Sequence, residues 1–258
     1  PAPYPWPAPM DREAGFAAYQ AMIDATEHQK RRAAGIPPEH IYSPVRGKIP
    51  VLQVRVVAAE AMTKTITKYT FAALDGAPLP AVTAGGHIDV VVAPEFFRQY
   101  SLCGDPADRT TYQIAVLRED AGRGGSKLMH RIFEVGRTVF ISRPINHFPL
   151  IETAKHSHLF GGGIGVTPMI AMAHRLHAIG ALFDLHYCFR NRRDAGFLKT
   201  LASVPWAKNV HLHVSAEGTR ANLNELTGYD VDHHVYTCGP ESFMTDVMAA
   251  ATRHAGQA

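Results

Sequence analysis

Three short stretches of this 258-residue sequence have the residue types and spacing to hold anionic or aromatic ligands. The first is Gly161-Gly162-Gly163-Ile164-Gly165-Val166-Thr167-Pro168. Glycines let a backbone come close to a ligand and free its amides. A helix starting here offers unpaired N–H groups and a positive dipole end to a pyrophosphate. Pro168 suits a first helical turn, and Thr167 can cap it or donate its hydroxyl. The usual dinucleotide fingerprint G-x-G-x-x-G is not met: the sixth residue is Val166 counted from Gly161, and Pro168 counted from Gly163. The acid that normally ends the next strand is replaced by Arg190, followed by Asn191, Arg192 and Arg193. A tight structural turn is the plain alternative; the strand-to-helix setting favours a nucleotide.

The second stretch is Arg98-Gln99-Tyr100-Ser101-Leu102-Cys103. Strand alternation puts Arg98, Tyr100 and Leu102 on one face and Gln99 and Ser101 on the other. Arg98 supplies a phosphate fork, Tyr100 a flat face and a hydroxyl, and Ser101 a hydrogen bond for a ring edge. The third is Gly122-Arg123-Gly124-Gly125-Ser126, a second anion-binding loop before a helix. Alone, each reads as a strand arginine or a flexible loop. Together they describe a phosphate-bearing aromatic ligand.

Metal chemistry is not expected. The 15 histidines include His156/His158, His211/His213 and His233/His234, but no H-E-x-x-H or Cys/His quartet, so they read as strand-face histidines. Cys103, Cys188 and Cys238 are too few and too scattered for a disulfide framework or a four-cysteine iron–sulfur site.

The elements that must position these residues follow from the pattern. With 46% hydrophobic and 19% charged residues the chain can bury a core. No run of about 18 apolar residues spans a membrane, and no secretory signal is evident near Pro1. The net charge of +3 is too small to argue for nucleic acid, but it permits docking to an acidic protein. Residues 1–47 read as an extension: Pro-rich to Met10, then a helix over 11–32, packing on the body or docking a partner. Residues 48–150 read as short strands at 51–57, 66–72, 87–92, 97–103, 112–117 and 139–142, a closed or partly closed antiparallel β-barrel. One helix over 126–133 interrupts them, with Gly136 following its end. Residues 151–258 alternate strands (156–160, 182–189, 210–214, 235–238) with helices (167–179, 241–251), which makes an α/β domain with a parallel sheet. Gly180 is the stop of the first of these helices.

With Cys238-Gly239-Pro240 as a fourth motif, the sequence resembles the ferredoxin–NADP reductase superfamily, in particular the phthalate dioxygenase reductase and vanillate demethylase reductase group. The resemblance covers about residues 50–250. It implies a flavin on the barrel, FMN before FAD, and a nicotinamide nucleotide on the α/β domain, NADH before NADPH. By that resemblance Arg98, Gln99, Tyr100 and Ser101 match the motif that holds the flavin. Arg123, Gly124, Gly125 and Ser126 match the loop for its phosphate, and Val116 and Leu117 the strand beneath its ring. Gly163, Gly165, Thr167 and Pro168 match the nucleotide loop; from their own chemistry Arg190, Arg192 and Arg193 read either as holders of a 2′-phosphate or as a solvated surface turn. Cys238 and Gly239 match the turn beside the nicotinamide, and Pro144, Asn146 and Phe148-Pro149-Leu150 the exit from the barrel. The group also implies a cytoplasmic reductase component of a multicomponent oxygenase or demethylase. Ser101 and Cys238 would flank a hydride transfer, and single electrons would pass to a 2Fe-2S centre. That centre is expected from a continuation of the chain or from a ferredoxin-type partner. The last strand of the nucleotide domain is expected beyond Ala258. A free-flavin or haem reductase, or a non-catalytic flavin-binding scaffold subunit, are the alternatives.

Overall fold

The computed structural model describes residues 51–93, 96–122, 124–223 and 232–255. The helix expected over 11–32 and Arg123 lie outside the described residues.

Six strands form the first sheet: β1 (Val51–Ala61), β2 (Ile66–Ala73), β3 (His87–Ala93), β4 (Phe96–Ser101), β5 (Thr111–Leu117) and β6 (Thr138–Ser142). Their order is β4-β3-β6-β1-β2-β5, every pairing antiparallel. Alternation sets the inner face: Val54 and Val56 are fully buried, whereas Val57, the extra residue of a bulge, is 42% exposed. Ile114 and Val116 point into the same core, which also holds Tyr69, Phe71, Ile88 and Ile141. The sheet curls until its two edges meet at one point. A bridge joins Leu102 to Ile114, and the Cys103 N–H donates to the Gln113 carbonyl at 2.9 Å. The expected barrel is therefore present, closed at one end of β4 and β5 and unpaired beyond it.

Helix α1 (Gly125–Ile132) plugs the barrel. Met129 is fully buried, and Phe133 meets Tyr69 and Phe71 edge-on at centroid distances of 5.7 and 6.5 Å. Gly136 does not cap this helix. Phe133 does, in an extended conformation, and Gly136 serves the turn into β6 by donating its N–H to the Val56 carbonyl at 2.8 Å.

The second sheet is parallel, in the order β10-β7-β8-β9. Its strands are β7 (His156–Gly162), β8 (Leu182–Phe189), β9 (Val210–Val214) and β10 (His233–Cys238). Helix α2 (Val166–Ala178) follows β7, α3 (Leu198–Ser203) follows β8, and α4 (Glu241–Ala255) follows β10. The short α3 was not expected from the sequence. The expected stop at Gly180 holds: with φ +70°, Gly180 donates to the His177 carbonyl, and Ala181 donates to that of Leu176, at 3.1 and 3.0 Å. This is the double hydrogen bond of a Schellman end.

Helix α2 is apolar almost all round, with nine buried residues, because it is covered on two sides. Its Met169, Ile170 and Met172 pack on Leu159, Leu185 and Tyr187 of the parallel sheet. The same cluster includes Ile66, Ala84, Cys103 and Ala115 from the barrel. One continuous core thus joins the two sheets, each fully buried aliphatic side chain contributing about 1.5–3 kcal/mol. The segment between them is tied to both. Asn146 Nδ2 donates to Thr83 Oγ1 (2.7 Å) and the Ala84 carbonyl (2.9 Å), and the Ile151 N–H donates to the Tyr236 hydroxyl (2.8 Å).

The strand-face reading of the histidines holds, and β-sheet geometry adds what linear spacing hides. His156 and His158 from β7, Asp184 and His186 from β8, His211 and His213 from β9 and His233 from β10 share the face away from α2. Burial lowers His158 to about 4 and His186 to about 3, so both are neutral at pH 7. Burial works to raise Asp184, but hydrogen bonds from His211 and His156 hold its carboxyl below the usual range. No described helix is long and apolar enough to cross a membrane.

Candidate functional site

Two clefts mark the structure, one where the sheets meet and one on the parallel sheet alone. The first, about 300 Å³, lies between the barrel and the parallel sheet and is lined by Gln99 and Ser101 of β4 and by Thr237 and Cys238 of β10. Gly85, His87, His147, Phe148 and Pro168 complete it. The structure thus brings together Ser101 and Cys238, 137 positions apart in sequence, in one cavity. Gln99 and Ser101 share it because both point away from the barrel core, as alternation expects. Two buried polar atoms in its wall, His87 Nε2 and Thr237 Oγ1, have no hydrogen-bond partner among the described residues. Such atoms are costly unless a ligand or water pairs them. Burial pushes the Cys238 thiol up, so at neutral pH it is a neutral, soft wall group and no thiolate nucleophile.

The barrel's open seam adjoins this region. β4 and β5 are the sheet's two edges and pair only at Leu102–Ile114. Carrying that register back by two residues sets Tyr100 opposite Val116, but no ladder forms there, so backbone groups on both edges remain for a ligand. Tyr100 packs against the barrel core, and burial pushes its phenol up to about 12. Arg98 reaches the start of α1: a Cβ on Gly125 would lie 2.9 Å from its Nε. Guanidinium and helix N-terminus therefore share one spot, a combination built for a phosphate. Gly124, with φ +94°, is the N-cap of α1, and the Ser126 hydroxyl accepts from the Glu119 N–H at 3.1 Å, pinning the loop. Val116 does not reach a ligand through its side chain, which is fully buried in the barrel; Leu117 faces out and packs toward the core that joins the two sheets.

The second cleft, about 470 Å³, sits at the carboxyl ends of the parallel strands. From β7 the chain moves outward through β8 to β9 and returns to β10 on the other side. Ligands of open α/β sheets bind at such a switch point. Gly162, Gly163, Arg190, Arg220, Pro240 and Phe243 are among its walls. The glycine run differs in detail from its expected form. Gly161 and Gly162 are still strand, and only Gly163–Gly165 form the turn, a single 3₁₀ turn. Thr167 does not cap α2; its hydroxyl donates to the Ile164 carbonyl at 3.0 Å, holding the turn from inside. Gly165 and Gly239 let the loop and the turn after β10 pack together, since a Cβ on either would collide with the facing backbone. Arg190 lines the cleft, whereas Arg192 points to Glu217 at 3.0 Å.

No protein-family model matches the chain. Individual proteins do. The chain is 40% identical over 217 residues to the tert-butanol monooxygenase / tert-amyl alcohol desaturase reductase subunit of Aquincola tertiaricarbonis, covering 82% of this chain and 64% of that protein. It is 39% identical over 204 residues to a vanillate O-demethylase oxidoreductase of Pseudomonas sp. (78% and 64%). Among solved structures it matches phthalate dioxygenase reductase with a TM-score of 0.76 and 33% identity (82% and 66%). That protein is described as a modular structure for electron transfer from pyridine nucleotides to [2Fe-2S]. The chain belongs to the ferredoxin–NADP reductase superfamily. Within the superfamily it stands with the phthalate dioxygenase reductase and vanillate demethylase reductase group. It spans 64% of the length of the first curated relatives it matches.

Homologues with flavin- and NAD-binding domains imply a flavin and a pyridine nucleotide. Sequence reasoning missed several wall residues of this reductase fold. His87, His147 and Thr237 carry no motif; only the three-dimensional meeting of β3, the barrel exit and β10 reveals them. Asp194 and Arg220 of the second cleft come from turns whose path a strand pattern does not set. Phe243 had a signal that went unused, three residues beyond Pro240 of a quoted motif.

Proposed function

We propose that this chain is the flavin- and nucleotide-binding part of a reductase component serving an oxygenase or demethylase: hydride passes from NADH to a bound FMN, and single electrons leave for a 2Fe-2S centre and the oxygenase. One observation carries the reading: Ser101 of the barrel and Cys238 of the parallel sheet line the same cleft. Such a cleft lets a ring held by one sheet face a ring held by the other, the near-attack placement that hydride transfer needs.

In this reading residues 48–150 hold the flavin and residues 151–258 the nucleotide. Arg98 and the amides at Gly124–Ser126 take the flavin phosphate, with Arg123 as a further cation of that loop. The unpaired edges of β4 and β5 receive the ring, and Ser101 and Gln99 hydrogen-bond its rim. His87 Nε2 and Thr237 Oγ1 find their partners on the bound rings, which supports a polar aromatic ligand there. The turn at Gly163 and the start of α2 take the pyrophosphate, and Pro168 and Cys238 wall the nicotinamide. No side chain is asked to act as a general base. The reductase subunits named among its relatives support an oxygenase partner.

The test is anaerobic. The purified full-length protein is reconstituted with FMN or FAD and mixed with NADH or NADPH in a stopped-flow spectrometer. Bleaching of a bound flavin by NADH at catalytic speed is the expected outcome. Failure to retain either flavin overturns the assignment.

A further inference from the structure

We propose that His156, His158, Asp184 and His233 form a binding site for a divalent metal ion of the zinc class, on the sheet face opposite α2. One ligand atom each from His156, His158 and Asp184 lies within 4.8 Å of the others. His156 Nε2 is 2.8 Å from Asp184 Oδ2, and His158 Nε2 is 3.3 Å from His233 Nδ1. In a tetrahedral zinc site with bonds of about 2.0–2.2 Å, ligand atoms stand about 3.3–3.5 Å apart. His156, His158 and Asp184 form the core of the set, and His233, which touches His158, is the fourth donor; side-chain rotation brings the four around one ion. Three imidazoles and a carboxylate are a borderline, nitrogen-rich set, which suits zinc over calcium or magnesium.

The framework is in place. His156 and His158 are two apart on β7 and so project from one face, stacked at 4.4 Å with their rings 11° from parallel. The backbone register sets His233 of β10 directly beside His156. Asp184 comes from β8 on the other side, and its second oxygen accepts from His211 Nε2 at 2.7 Å, which fixes the carboxylate with one oxygen turned to the histidines. His156 and Asp184 side chains are 23% and 30% exposed, so an ion has an entry path. The site uses the amino ends of β7 and β10, the far edge of the sheet from both clefts. Its role is therefore a clamp on three strands and no part in hydride transfer. The expectation of no metal rested on linear spacing, and linear spacing does not show three strands meeting.

The test uses tag-free, chelator-treated full-length protein titrated with Zn²⁺ by calorimetry and with Co²⁺ by visible absorption. The expected result is one equivalent of either ion, a visible band of tetrahedral Co²⁺, and a thermal midpoint raised by Zn²⁺. His158→Ala and Asp184→Asn each lose at least tenfold in affinity, while His234→Ala, which changes the opposite face, binds as the parent does. Circular dichroism of the ion-free variants controls for folding. Absence of stoichiometric binding by the parent, or unchanged binding by both variants, overturns the site. A variant that fails to fold is replaced by His233→Gln, judged by the same criterion.

Discussion

Gly165, the N-cap of α2, is pressed against the carbonyl of Cys238, so that a Cβ on the glycine would occupy the space of that peptide group. The nucleotide loop and the turn beside the first cleft are therefore one packed unit. Gly165→Ala must push the end of β10 away or shift the start of α2. Overpacking of this kind costs about 1–3 kcal/mol. The expected result is a lower urea midpoint and slower flavin reduction by NADH, with flavin still bound. Urea titration and stopped-flow absorbance measure the two.

Cys238 itself is a shaping group, since burial keeps its thiol neutral. Cys238→Ala leaves a gap where the rings would stack. Flavin reduction should slow about ten- to a hundredfold, the usual result of misplacing reactants by about an ångström. Flavin affinity should change far less, because in the proposed function the barrel would hold the flavin. Equal reduction rates in parent and variant remove Cys238 from the site.

Arg98 tests the phosphate end. Its guanidinium lies against Gly125 at the start of α1. Arg98→Ala should weaken flavin binding by about 1.5–3 kcal/mol, the range for a charge-assisted hydrogen bond. Arg98→Lys should recover only part of this, because a point charge cannot reproduce the fork. Fluorescence titration of the ion-free apoprotein with FMN gives the affinities.

The histidine face sets an acid limit. His158 and His186 have folded values of about 4 and about 3, below the ordinary 6.5 of an unfolded histidine. The unfolded chain therefore binds more protons, so the stability these groups leave intact above about pH 6.5 is lost as pH falls toward 4. The thermal midpoint in the presence of a chelator should fall steadily over that window. In a His158→Gln/His186→Gln double variant the slope should flatten. A parallel decline in both proteins removes these histidines as the cause.

How far the sequence disclosed all this depends on what kind of information each feature carries. Strand positions were legible because Val, Ile and Tyr alternate with polar residues, and β8 and β9 match their expected bounds. The end of α2 was legible because Gly180 is a local signal. The phosphate and nucleotide motifs were legible as contiguous loops. The barrel's open seam was not, because it is a failure of β4 and β5 to pair and no residue encodes an absent ladder. Nor was the Gly85 contact with Phe148 and Met172, which depends on where the barrel exit crosses α2. The His156–Asp184–His211 chain needs three strands in register, which periodicity does not supply.

The choice between NADH and NADPH rests on residues that follow β8. Of the arginines read as 2′-phosphate holders or a solvated turn, Arg192 has its Nε donating to both Glu217 oxygens, at 3.0 and 3.2 Å, so its charge is already engaged. Arg190 lines the cleft, and so does Asp194, whose carboxylate accepts from Asn191 Nδ2 at 3.1 Å. In the proposed reading Asp194, which also faces Arg193 Nε at 3.8 Å, would stand in for the acid that the end of β8 lacks. A carboxylate there would accept from a ribose 2′-hydroxyl and repel a 2′-phosphate. Arg190→Ala/Arg192→Ala should leave reduction by NADH within about twofold. Asp194→Ala should raise NADPH use relative to NADH by about tenfold, since removing a like-charge clash is worth on the order of 1–2 kcal/mol at a partly exposed site. Steady-state kcat/KM with each nucleotide decides it, and a selective loss of NADPH activity in the arginine variant would reverse the assignment.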